Sequence, residues 1–388
     1  MSNCNASRVL IYVQHLLGVG HLQRALQLSD ALLQHGYQVD LVSGGRPTQL
    51  KRPESLHFHQ LPPLYSADGN FTRLLDANGD EIDDDWREQR KRLLLDIFES
   101  SAAQVLITET FPFGRRMLRF ELLPLLEASR KSAECTQVIA SIRDFLQPKS
   151  KSERNRETCE LIDAYYDHVL VHGDESIASL EDSFANANHI ADKLFYSGYI
   201  CAQNPTAAAV TTGEDEVLVS AGGSATGLQI LRTALAAKPL SVFKDAHWRL
   251  LVSPAISTAD FNQLLGLADD GVSVERNRAD FSELIKRARL SISQAGYNTM
   301  TDLLNSDTPA VVIPYAEAGE IEQTLRARAL QDRGRLVALN QSDLDAASLA
   351  QAMAKSISTN TTLAVDLNGA DNSANAITRW LNSAEDAR

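Results

Sequence analysis

VLIYVQHLLGVGHLQRALQLSDAL, residues 9–32, decides how this chain is read. A short unbroken apolar run, VLIYV, leads through QHLL to two glycines flanking one residue, Gly18 and Gly20, and apolar residues then recur at helical spacing from His21 to about His35. An unbroken apolar strand is one covered on both faces, which is the condition of a parallel sheet. A glycine turn from such a strand into a helix exposes the helix's first N–H groups, a local attraction for negative charge, and permits positive φ.

The same rhythm continues outward. YQVDLVSG, QVLITET, QVIASIRD, DHVLVHG and KLFYSGYI read as strands, and DDWREQRKRLLLDIFESSA, FELLPLLEASRK and ETCELIDAYY as helices between them. Residues 202–215, AQNPTAAAVTTGED, lack periodicity and read as a linker. The alternation then restarts with EVLVSAGG, LQILRTALAA, WRLLVSP, ADFNQLLGLA, VSVERN, FSELIKRA, LSISQAG, TMTDLLN, PAVVIPY and EQTLRARALQDRG. The expected organisation is an α/β domain over 1–201, a linker over 202–215 and a second α/β domain over 216–372. An amphipathic helix over 373–385 crosses back onto the first.

The totals fit two domains, since 388 residues exceed the usual reach of one core. A formal charge of -13 repels a polyphosphate backbone and argues against a nucleic-acid partner. The four cysteines, Cys4, Cys135, Cys159 and Cys201, show neither zinc spacing nor disulfide density, which fits a reducing cytoplasm. No stretch is long enough to span a bilayer, and the N-terminus lacks the layout of a secretory signal.

In open α/β sheets ligands bind beyond the carboxyl ends of the strands, and both GVGH (18–21) and GGSATG (222–227) occupy that position. Neither is a dinucleotide fingerprint, because Gln23 stands where a third glycine is due, and neither ends as a P-loop does. Asp83–Asp85 has the Asp-x-Asp spacing of a metal site but precedes a charged helix, where a solvated N-terminus is the better reading. No metal or other cofactor is expected.

SISQAGYNTMTDLLNSDTPAVVIPYAEAGEIEQTLRARA, residues 291–329, resembles the C-terminal domain of the MurG-like family 28 glycosyltransferases, and GVGH and GGSATG extend the likeness to both halves. The whole chain is similar to a bacterial group of predicted glycosyltransferases in which VQHLLGVGHL, VSGG, FPFGRR, RFELLPLLEA, VHGD and SQAGYNT recur. The resemblance implies a GT-B fold, two Rossmann-like domains with parallel sheets facing across a cleft, and a nucleotide-sugar donor, with uridine as the nucleotide. It implies that Gly222, Gly223 and Ser224 border the donor diphosphate, Gly296 and Asn298 lie beside the nucleotide, and Asp302, where the family has glutamate, binds the ribose. Glu322 and Gln323 stand where a Gln-Gln pair contacts the sugar, and the departure at Glu322 leaves the sugar open.

Asp302 suits a vicinal diol, which a carboxylate can accept from through both oxygens; the alternative is a first-turn acid that favours the helix dipole. Glu322 and Gln323 could equally be surface residues of an amphipathic helix. An inverting transfer needs a base for the acceptor hydroxyl, and the candidates are His21 after the first glycine turn, Glu109 closing a strand, and Asp144 in SIRD. Their alternative roles are structural, helix capping for the two acids. FPFGRRMLRF, with Arg115 and Arg116, either grips an anionic or lipid-linked acceptor at the inner face of a membrane or simply buries its aromatics. A nucleotide-sugar epimerase or hydrolase, or a non-catalytic sensor, would share the same phosphate turns.

Overall fold

The computed structural model describes residues 6–16, 18–66, 73–148, 152–201, 212–222, 227–359 and 361–386. They form two compact units, residues 1–200 with 368–388, and residues 201–367. Most of the expected linker, 202–211, lies outside the described residues, as do Gly223 and Ser224.

The first unit contains β1 (Arg8–Val13), α1 (Gly20–Gln34), β2 (Gln38–Ser43), β3 (His57–Gln60), β4 (Tyr65–Ser66), β5 (Leu74–Leu75), α2 (Asp84–Ser101), β6 (Val105–Glu109), α3 (Arg119–Lys131), β7 (Gln137–Arg143), α4 (Ser152–Tyr165), β8 (His168–His172) and β9 (Leu194–Tyr196). Seven strands form one parallel sheet in the order β3-β2-β1-β6-β7-β8-β9, and β4 and β5 pair as a separate antiparallel ribbon. From β1 the chain winds outward to β3, then returns to add β6 on the other side of β1. That reversal is the topological switch point, where neighbouring crossovers leave in opposite directions.

β1 is buried from Val9 to Val13, and its residues alternate between the two sheet faces because successive side chains of a strand point oppositely. Val9, Ile11 and Val13 pack with Leu22, Ala25, Leu28 and Leu32 of α1, while Leu10 and Tyr12 pack with Leu94 and Phe98 of α2 and Leu122 and Leu125 of α3. The final helix, α11 (Gly369–Asp386), is part of this unit. It lies against α1, with Tyr37 and Thr378 sharing a hydroxyl hydrogen bond at 2.7 Å and Trp380 stacked on His168 at 3.7 Å between ring centroids. It begins four residues before the expected start at 373. Gly369 permits that entry, because a Cβ there would sit 2.3 Å from the Gly198 carbonyl oxygen.

Asp83 caps α2, its side chain accepting from the Trp86 N–H at 2.8 Å, so the Asp83–Asp85 run is a helix start. A fully buried ion pair, Arg90 Nε to Glu121 Oε2 at 2.7 Å, joins α2 to α3, and Arg90 Nη2 also donates to Gln14 Oε1 at 2.8 Å. Gly44 leaves room for that cluster, since a Cβ would fall within 2.2 Å of Gln14 and Arg90 atoms.

The second unit contains β10 (Val217–Ser220), α5 (Leu228–Ala237), β11 (Trp248–Val252), α6 (Thr258–Leu267), β12 (Val272–Arg276), α7 (Phe281–Arg287), β13 (Leu290–Ser293), α8 (Tyr297–Leu304), β14 (Ala310–Val312), α9 (Glu322–Asp332), β15 (Val337–Ala338) and α10 (Ala346–Ser358). Its six strands are parallel in the order β12-β11-β10-β13-β14-β15, with the switch point between β10 and β13. Val217, Val219, Trp248, Leu250 and Ile292 form its core with Ile230, Leu231 and Ala234 of α5. Helix α10 is capped by Asp345, whose carboxylate accepts from the Ser348 N–H at 2.7 Å.

Candidate functional site

In the first unit, β1 leads through the GVGH turn into α1, and β6 beside it ends at Glu109. The two sides of the switch point therefore place His21 and Glu109 together, although 88 residues separate them. His21 Nδ1 lies 3.0 Å from Glu109 Oε1. Arg24, one turn after His21 on α1, donates to the same carboxylate oxygen, and Ser141 Oγ on β7 donates to Oε2 at 2.6 Å.

Burial opposes the charged form of Glu109, yet Arg24, His21 and Ser141 outweigh it and hold the carboxyl well below the usual carboxylate range. Burial also pushes His21 down to about 3, against the pull of Glu109 and with the charges of Arg115, Arg143 and Arg24 adding to the effect. At neutral pH the pair is thus a neutral imidazole beside a carboxylate. An ionised carboxylate can only accept, so His21 carries its proton on Nδ1 and its lone pair on Nε2. The ring meets Glu109, Arg24 and Thr110 at Nδ1, and the side chain keeps 14% of its surface exposed.

Thr110 meets the same nitrogen of His21. Its φ is +71°, a left-handed conformation unusual for a β-branched residue, and its Oγ1 lies 3.2 Å from His21 Nδ1. Gly18 and Gly20 are not among the positive-φ glycines, contrary to the expectation that the turn needs them for conformation. A Cβ at Gly18 would meet nothing within 4 Å, so the space beside the turn is open.

Asp144 is fully buried just past the end of β7, and its Oδ1 accepts from the Phe145 N–H at 2.8 Å. Within FPFGRR, Phe111 and Phe113 are buried, and Phe113 packs edge-on against Phe184. Arg115 donates through Nε to the Gln14 carbonyl at 3.1 Å, whereas Arg116 is exposed and pairs with Glu157 on α4, as does Arg119.

In the second unit the C-terminal ends of β10 and β13 carry the remaining candidates. Gly222 adopts φ +73°, which a glycine tolerates, and its carbonyl accepts from Asn277 Nδ2 at 3.2 Å. Gly227 starts α5 in tight contact with the strand, since a Cβ there would lie 1.9 Å from that of Ala221. Gly296 precedes α8 with extended backbone, and a Cβ on it would meet nothing within 4 Å. Asn298 is in the helix's first turn, and its carbonyl accepts from Thr301 Oγ1 at 2.8 Å.

Asp302 is in the second turn of α8, not at its start, because the helix begins at Tyr297. It is therefore not a dipole-capping acid. Its Oδ1 accepts from Ser282 Oγ at 2.6 Å, and burial raises its pKa to about 6, with Ser282 and Lys286 pulling the other way. Glu322 is buried rather than on the surface of an amphipathic helix, and Arg326 Nη2 donates to its Oε1 at 2.8 Å. Arg326 also donates through Nη1 to the Ala295 carbonyl at 3.0 Å, joining α9 to the turn before α8. Gln323 turns inward as well, its Oε1 accepting from the Tyr315 N–H at 3.1 Å.

Sequence reasoning passed over Arg24, Ser141, His172 and Arg326. The signal available was polarity at strand ends and within helices that otherwise bury apolar faces. Among the described residues no three His, Cys, Asp or Glu side chains are grouped as a metal would require, and no helix is long and apolar enough to cross a membrane.

Residues 217–379 match the glycosyltransferase family 28 C-terminal domain. The UDP-N-acetylglucosamine--N-acetylmuramyl-(pentapeptide) pyrophosphoryl-undecaprenol N-acetylglucosamine transferase of Paramagnetospirillum magneticum is 27% identical over 187 residues, 45% of this chain and 50% of that protein. The enzyme of the same name from Gloeothece citriformis is 43% identical over 61 residues, 16% of this chain and 17% of its own. The chain thus spans at most about half the length of these relatives. Among solved structures, MurG of Acinetobacter baumannii superposes with a TM-score of 0.61 at 15% identity, covering 96% of this chain and 99% of that one. The kitacinnamycin glycotransferase gives 0.63 at 14% identity, covering 97% and 100%. The chain has the α/β fold of the GT-B glycosyltransferases, and its residues 217–379 are similar to the glycosyltransferase family 28 C-terminal domain.

Proposed function

We propose that this protein transfers a sugar from a nucleotide-sugar donor, a UDP-sugar, to an acceptor hydroxyl, with inversion and without a metal. The observation that carries the reading is the His21–Glu109 pair at the switch point of the first unit. A neutral imidazole whose Nδ1–H is taken up by a carboxylate presents Nε2 as a base for the acceptor proton, and the carboxylate stabilises the imidazolium that results. Glu109 is the orienting partner in this scheme and Asp144, buried against its own backbone, is not the base.

In the second unit the donor diphosphate is assigned to Gly222, with Gly223 and Ser224 next to it in sequence, where backbone N–H groups would offset the charge that develops on the leaving group. Gly296 and Asn298 border the nucleotide, Asp302 accepts from the ribose hydroxyls, and Gln323 with Glu322 faces the sugar. Arg24, Arg115 and Arg143 all act electrostatically on His21, a set of cations that favours an anionic acceptor, and a lipid-linked diphosphate at the inner membrane face has that chemistry.

Thermal-shift measurements with UDP-, GDP- and dTDP-sugars test the donor, because a ligand that binds only the folded state raises its stability. A UDP-sugar is expected to raise the melting temperature, Asp302→Ala to erase the rise, and chelator to leave turnover unchanged. A full shift in Asp302→Ala would misplace the ribose contact, and a sugar released as its free epimer would make the enzyme an epimerase.

A further inference from the structure

Glu109 has a second carboxylate oxygen, and what lies on it is not used by the mechanism above. Ser141 Oγ is 2.6 Å from Glu109 Oε2, His172 Nε2 is 2.9 Å from Ser141 Oγ, and Ser197 Oγ is 2.9 Å from His172 Nδ1. All three residues are buried, His172 and Ser197 completely.

The direction of each hydrogen bond follows from chemistry. The ionised Glu109 can only accept, so Ser141 spends its proton there and its oxygen must accept from His172 Nε2–H. Burial, with the charge of Arg24, pushes His172 down to about 3 against the pull of Glu109, so the ring is neutral and has a single N–H. With that proton on Nε2, Nδ1 accepts, and the Ser197 hydroxyl donates to it in preference to the Gly198 carbonyl at 3.0 Å or the Val171 carbonyl at 3.4 Å. Every donor then points toward Glu109, and chains of this kind reinforce themselves because each bond polarises the next.

We propose that Ser141 and His172 are positioning residues: a one-way relay from Ser197 through His172 and Ser141 fixes Glu109 against His21 Nδ1 and so keeps Nε2 of His21 as the lone-pair nitrogen. The proposal rests on reading His21 as the base, and its test separates the two. The relay occupies the C-terminal parts of β7 and β8, where SIRD supplies Ser141 and VHGD supplies His172. The charged groups acting on His172 are Arg24 from α1 and Glu109 from β6, while Arg115 from the loop after β6 and Arg143 from β7 act, with Arg24, on His21.

Nitrogen-15 imidazole spectra of the full chain between pH 6 and 8 decide the matter. The expected result is His172 protonated on Nε2 and His21 on Nδ1. Ser141→Ala is expected to shift both His21 nitrogens, because the carboxylate loses a donor and turns more of its charge on the imidazole. Ser141→Thr should restore the parent spectrum. A His172 proton on Nδ1, or His21 resonances unmoved in Ser141→Ala, overturns the relay, and the tautomer measurement on the unaltered chain stands even where that variant fails to fold. If instead His21→Ala releases UDP from UDP-N-acetylglucosamine as fast as the parent, the base assignment falls while the relay's tautomers remain as measured.

Discussion

Asp302→Asn separates what this residue costs the fold from what it does for a ligand. Burial raises the Asp302 carboxyl from its ordinary 3.8 to about 6. Between those values the folded state holds more protons than the unfolded chain, so stability falls as pH climbs through the window, and above pH 6 the whole cost is present. A rise of that size corresponds to about 3 kcal/mol. Asparagine has no charge to desolvate and its Oδ1 can still accept from Ser282, whose hydroxyl lies 2.6 Å from the parent carboxylate. The raised value already includes the attraction of Lys286, which the variant forfeits. The variant is therefore expected to be more stable than the parent at pH 8 by about 1–3 kcal/mol, and equal to it near pH 4. Urea unfolding at the two pH values reads this difference, and UDP thermal shifts on the same samples read the ligand. The expected pattern is a stabilised protein that has lost its response to UDP. A variant less stable than the parent at pH 8, or displaced equally at both pH values, would refute the argument that the carboxylate is held at a cost.

Three further outcomes follow from the geometry. With His21 lowered to about 3, kcat should stay level from pH 8 to pH 5; an acid limb in kcat near 6.5 would mean an imidazole exposed to solvent rather than buried among cations. Arg326→Met leaves Glu322 and the Ala295 carbonyl without their buried donor and should cost about 3–5 kcal/mol by urea unfolding, while Arg326→Met with Glu322→Gln should recover more than half, a recovery whose absence would count against the pair. Thr110→Gly removes a left-handed threonine and should raise stability by about 1 kcal/mol while lowering kcat, since the hydroxyl beside His21 is lost; a destabilised variant would show that the φ of +71° is not strained.

The fold was legible where burial leaves a strong pattern. The run from Val9 to Val13 is apolar at every position because α1 covers one face of the sheet and α2 and α3 the other, and the same logic exposed the second sheet. Edge elements left weaker traces. Strand β3 reads HFHQ and is only partly buried, and β15 is two residues long. The helix after SQAGYNT was placed two residues late, at TMTDLLN, which moved Asp302 toward the helix start. His21 was legible as a helix start after a glycine turn and Glu109 as the close of a strand, but their contact is made by strand order, which places β6 beside β1 across 88 residues of sequence. Ser141 and His172 lie in the C-terminal parts of β7 and β8, where one polar residue looks like any other alternation.

The two switch points are furnished differently, and the difference bears on function. The first collects side chains that hold or move a proton: a histidine, a carboxylate, two serines, a second histidine and an arginine, nearly all buried. The second collects backbone and space: Gly222 in a left-handed turn, Gly296 with room beside it, and Gly227 drawing α5 onto its strand. Burying a polar network is costly unless every partner is met, so the first unit retains one only under a requirement that apolar packing could not serve. Open glycine turns likewise give up side-chain contacts that would have stabilised the second unit. On the proposed reading, a proton acceptor in one unit and an anion-binding glycine turn in the other serve the transfer, so loss of His21 should abolish turnover yet leave UDP binding intact, and loss of Asp302 should abolish UDP binding.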